Sequence, residues 1–186
     1  MRKIIILLSL TLVSWGAFAQ NNHSEKKNNS KIKASIKVEQ SKSATAIIDN
    51  YLALKDALVQ EKSKEAAILG KDLLSIFSKF DASRVANQQK NEVATLIKDA
   101  SQQAKHIADN SENIAKQREH FDFLTKGVKD LIVITGSDRP LYQAYCPMYN
   151  SNKGGAWLSA LKEISNPYFG SKMLKCGSLQ QEILLK

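Results

Sequence analysis

Across residues 44–135 apolar side chains return at three- and four-residue steps, the period of helices that bury one face. Ile47, Ile48, Tyr51, Leu54 and Leu58 form the first stripe, with Lys55, Asp56 and Gln60 opposite. Lys62-Ser63-Lys64 reads as a short turn with Ser63 as N-cap. A second stripe runs through Ala66, Leu69, Gly70, Leu73, Leu74 and Phe77. Gly70 inside it costs about 1 kcal/mol against alanine, which implies close packing of a neighbouring helix. Asp81-Ala82-Ser83 marks a loop, and residues 87–107 carry a third stripe through Val93, Leu96, Ile97, Ala100, Ala104 and Ile107. Asp109-Asn110-Ser111 favours a break, because these side chains compete for backbone hydrogen bonds. Ile114, Phe121, Leu124, Val128, Leu131 and Ile132 give a fourth stripe that Gly136 should end. The expectation is an all-α fold: an up-down bundle of three to four helices. Three is the count if one helix runs unbroken over residues 88–135.

Beyond Pro140 the helical period is lost. Leu141, Tyr142 and Tyr145 suggest a strand or irregular segment, Trp157, Leu158, Leu161 and Ile164 a short helix, and Met173, Leu174, Leu179 and Ile183 a strand or final turn. Residues 140–186 are therefore expected to be a small irregular, β-containing appendage on a single domain spanning 44–186.

Two segments precede that domain. Residues 1–19 read as a secretory signal peptide, with Arg2 and Lys3, an apolar run over residues 4–13, and a small-residue cleavage pattern at Ala17-Phe18-Ala19. Export to the periplasm is the implied destination, and no later stretch is long and apolar enough to span a membrane. Residues 20–43 hold six lysines against Glu25 and Glu39, which reads as a disordered Lys/Asn/Ser-rich leader. Much of the formal charge of +9 thus sits in the first 43 residues. The folded part lacks the clustered basic face with aromatic partners that nucleic-acid binding needs.

Both cysteines lie in the last third, in Cys146-Pro147-Met148 and Met173-Leu174-Lys175-Cys176. An exported chain with two cysteines invites a disulfide between Cys146 and Cys176. Closing that loop would contribute on the order of 3–4 kcal/mol in the chain-entropy model. The same atoms suit another role: thiolate and thioether sulfur are soft donors that select monovalent copper or silver. In an extended Cys146-Pro147-Met148 both sulfur residues share one face, and Met173 and Cys176 converge over one turn. His106 and His120 are fourteen residues apart, about 21 Å along one helix, so they are expected not to share an ion, and a hairpin at Asn110 leaves them offset. A strand returning from Pro140 covers roughly 20 Å by Cys146, which makes His120 the one histidine nominated as a ligand. His23 lies in the leader. Catalysis finds no support: there is no nucleophile motif, no H-E-x-x-H, and Gly154-Gly155 lacks a phosphate-loop pattern.

Several stretches together are specific: residues 47–58, Gln117-Arg118-Glu119-His120-Phe121, Cys146-Pro147-Met148, Gly155-Ala156-Trp157-Leu158-Ser159, Asn166-Pro167-Tyr168-Phe169-Gly170 and Met173-Leu174-Lys175-Cys176-Gly177. In combination they resemble the "domain of unknown function 3347" family. That resemblance implies an exported helical domain of Bacteroidetes-type bacteria, found alone or fused to periplasmic adaptor subunits of heavy-metal efflux systems. It implies Cys146, Met148, Met173, Cys176 and His120 as metal-site positions, and an efflux adaptor or another periplasmic protein as partner. The competing expectation is a disulfide-stapled interaction domain without metal, engaging a partner through Tyr142, Tyr145, Tyr149, Trp157, Tyr168 and Phe169.

Overall fold

The computed structural model describes residue 32 and residues 34–186. The signal-peptide reading of residues 1–19 and most of the leader lie outside the described residues. Four long helices follow the four apolar stripes: α1 (Thr45–Val59), α2 (Ser63–Ser78), α3 (Lys90–Asp109) and α4 (Ile114–Thr135). The break before α4 is real, so the unbroken helix over 88–135 does not form. Asn113 caps α4 by accepting the Lys116 N–H at 3.1 Å, and Gly136 ends it at φ 85°.

Each helix packs on the next, α1 on α2, α2 on α3 and α3 on α4. The core holds Ile47, Leu54, Leu58, Leu73, Ile107, Phe121 and Leu124, all essentially inaccessible. At Gly70 α2 lies close against α3; a Cβ there would lie 2.9 Å from the Ala104 carbonyl oxygen. Two local readings need correction. Lys55, assigned to the polar face, is buried, with its ammonium 2.5 Å from the Asp56 carboxylate; its aliphatic stem covers apolar surface while the charge reaches the rim. Ser63 begins α2 rather than capping it. Its hydroxyl donates to Gln117 Oε1 at 2.8 Å, and Gln117 Nε2 donates back to the Ser63 carbonyl at 2.8 Å.

The remaining elements form a four-stranded sheet of order β1-β4-β2-β3, from β1 (Ala34–Val38), β2 (Leu141–Cys146), β3 (Gly155–Ser159) and β4 (Ser178–Leu185). β1 runs parallel to β4, and β2 is antiparallel to both β4 and β3. The leader was expected to be disordered over 20–43, yet its residues 34–38 are this edge strand. Ile36 and Val38 alternate with Ser35 and Lys37, a period-two signal diluted by the surrounding lysines, and Val38 is buried. The short helix expected from Trp157 is instead β3 and a loop. Leu161, which completed the apparent helical step, is exposed, so that step never described a buried face.

One buried polar cluster joins sheet and helices. Thr125 Oγ1 donates to the Phe121 carbonyl at 2.9 Å and lies 2.7 Å from Tyr51 Oη. Tyr51 Oη in turn accepts the Leu158 N–H at 3.0 Å. With Thr125 donating to Phe121, the Tyr51 proton goes to Thr125, so no member of the cluster is left unpaired. α1, α4 and β3 are pinned at that point.

Candidate functional site

Cys146 ends β2 and is fully buried, while Cys176 lies in the half-buried turn before β4. Their sulfurs are 2.7 Å apart. Two positions thirty residues apart in the chain therefore meet as the sequence required of either reading. Desolvation, followed by the neighbouring Cys146, pushes the Cys176 thiol up to about 11. At neutral pH it stays protonated until oxidation or a metal removes the proton.

Asn166 builds the Cys176 side. It is wholly buried and both ends of its carboxamide are engaged. Nδ2 donates to the Cys176 carbonyl at 2.8 Å, and Oδ1 accepts the N–H groups of Tyr168 and Phe169 at 2.8 and 3.3 Å. Its backbone N–H reaches the Leu174 carbonyl at 2.9 Å, and Cys176 N–H closes onto the Met173 carbonyl at 2.9 Å. One side chain thus holds the Asn-Pro-Tyr-Phe-Gly turn and the Met-x-x-Cys turn against each other. Sequence reasoning marked Asn166 only as a turn residue; the signal was present, because an asparagine directly before proline is poised to accept the next free N–H groups.

On the Cys146 side the chain leaves β2 and turns. Met148 has helical backbone angles (φ −86°, ψ −12°), so the shared face expected of an extended Cys-Pro-Met does not arise. Its side chain is half exposed. The turn continues through Asn150, Ser151 and Asn152 at φ 50°, 54° and 66° and closes at Gly154 (φ 84°). A Cβ on Gly154 would fall 1.8 Å from Tyr145 Oη. Met173 is half-buried at the end of a short 3-10 turn, Gly170–Met173.

His120 goes elsewhere. Its Nδ1 lies 2.9 Å from Gln103 Oε1, and its ring stacks on His106 with centroids 4.4 Å apart. Both partners are on α3, which packs on α2 and α4. The expectation that the two histidines stay apart is corrected: the tight turn between Asp109 and Ile114 folds α4 back along α3, so residues at comparable distances from it meet. Burial, then the facing His106, lowers the His120 pKa. Among the described residues no three His, Cys, Asp or Glu side chains gather to hold an ion.

The sequence model of the family described as "Protein of unknown function (DUF3347)" matches residues 47–139. The chain belongs to this family. The DUF3347 match runs from α1 through the end of α4, and the sulfur-bearing segment lies beyond it. No curated protein and no solved structure gives a match. Among the described residues of this DUF3347 protein, no helix is long and apolar enough to cross a membrane.

Proposed function

We propose that this DUF3347 protein is a periplasmic module that takes up and hands over a soft monovalent cation, copper or silver, through Cys146 and Cys176. The convergence of both thiols of the chain on one place in the fold carries the reading. Soft thiolates placed side by side favour such ions over hard ones. Met148 is half exposed two residues beyond the buried Cys146, so its thioether is accessible to an arriving ion, and Met173 lies on the turn that holds Cys176. His120 is left out of the ligand set. The four DUF3347 helices, read as an up-down bundle, form the support, and an efflux adaptor or another periplasmic protein is the partner from which the ion comes or to which it goes.

The disulfide-stapled, metal-free interaction domain is favoured by the sulfur separation of 2.7 Å, which lies nearer an S–S bond of about 2.05 Å than the separation of two ligands around one ion. Titration of fully reduced protein with cuprous ion in anaerobic buffer separates the two. The metal reading expects one tightly held equivalent, loss of the thiol protons, and binding abolished by Cys146→Ser. Reduced protein that takes up no cuprous ion assigns the pair to the staple.

A further inference from the structure

A cleft lies beside the turn that follows Met148. Open and of about 420 Å³, it runs between α4 and this turn, within the size range of small-molecule sites of roughly 300–1,000 Å³. Tyr149 and Tyr168 line it as a stacked pair, centroids 4.1 Å apart. Phe123, 59% exposed, stands at its edge. Three charged side chains of α4, Arg118, Glu119 and Asp122, complete it.

Their charges are not equally available. Arg118 is engaged with the protein itself: Nε donates to the Pro167 carbonyl at 2.7 Å, and Nη2 donates to the Leu58 carbonyl at 3.2 Å and sits 3.7 Å from Glu61. Glu119 is bridged to Lys116 at 2.8 Å on the exposed flank. Asp122 is held by neutral groups; Oδ1 accepts the Ala156 N–H at 3.3 Å and lies 3.1 Å from Tyr168 Oη. Among the described residues no cationic side chain forms an ion pair with Asp122, which leaves its carboxylate beside aromatic faces. Burial, then the charges of Asp122 and Glu119, pushes the Tyr149 phenol up to about 12, so its ring faces the cleft uncharged.

We propose that this cleft binds the ammonium group of a small organic cation, with Asp122 as its counterion and the Tyr149 and Phe123 rings as its aromatic walls. A carboxylate supplies the charge-assisted bond and ring faces attract the cation. An anion would meet Asp122 and Glu119 with an arginine already committed elsewhere. The proposal is independent of the thiol pair.

The test uses n-butylammonium, with butan-1-ol as its neutral counterpart, titrated into the full chain while amide resonances are followed. Butylammonium should shift the Asn150 and Ala156 amides saturably and butanol should not. Asp122→Asn, which keeps the oxygen facing Ala156 and Tyr168, should weaken binding at least about tenfold, and Cys146→Ser should leave it unchanged. Equal binding of alcohol and amine, absence of saturable shifts at these amides, or unaltered affinity in a folded Asp122→Asn protein overturns the proposal. If circular dichroism shows that Asp122→Asn does not fold, Phe123→Leu, at an exposed position, decides: about threefold weakening supports the site, and no change overturns it.

Discussion

The four helices and the sulfur-bearing segment reach the same burial by different routes. Within α1, Ile47, Tyr51, Leu54 and Leu58 go inside because the helical period puts them on one face. Cys146, Trp157, Asn166 and Tyr168 are just as buried, yet nothing near them in the chain dictates it. Trp157 lies edge-on to Tyr168, centroids 6.1 Å apart, and Leu158 N–H is satisfied by Tyr51, 107 residues away. The helical part is organised by a repeat. The segment is organised by a few buried polar bonds to distant partners, so it should be the more fragile of the two to single polar changes.

Asn166→Ala attacks that difference most directly. It strands two accepted N–H groups and one carbonyl in a buried place, and loses about 3 kcal/mol or more in denaturant unfolding. The Cys176 turn should loosen, so thiol reagents react faster while far-UV helicity is retained. Collapse of the helices together with the turn would show that the two regions do not differ in this way. Tyr51→Phe removes the hydroxyl that links them. It should cost about 1–3 kcal/mol by orphaning the Leu158 N–H, with amide exchange at β3 rising more than in α2. Smallest is a paired glycine test within the helices. Gly70→Ala places a Cβ 2.9 Å from backbone, and overpacking of about 1–3 kcal/mol outweighs the propensity gain of about 1 kcal/mol. Gly127→Ala meets only Ala100 Cβ at 3.5 Å, so the propensity gain survives and the protein becomes more stable. Opposite signs in the two variants sharpen the view that helix–helix spacing, rather than propensity, governs this half.

What the sequence made legible follows the same division. The break after Asp109, the helix end at Gly136 and the close approach at Gly70 could be read, because each depends on local backbone chemistry. The pairing of Cys146 with Cys176 was reachable too, since the two thiols of the chain have only each other to meet. β1 was hidden because its partner, β4, lies at the other end of the chain and its composition matched the leader around it. His120 was misplaced because a hairpin centred on Asn110 leaves it offset from His106, whereas the connection runs on to Ile114 and brings Gln103 and His106 against it. The β3 strand was taken for a helix on four apolar residues, too few for a period to discriminate.

The central claim is that β2 and the turn before β4 bring Cys146 and Cys176 into contact in the native chain. Mild oxidation of the folded protein at low concentration, followed by peptide mass mapping without reductant, tests it. The account predicts a single intramolecular Cys146–Cys176 link, a loss of two hydrogens, and unchanged helicity. Thiols that remain free, or that link only between molecules, would contradict it.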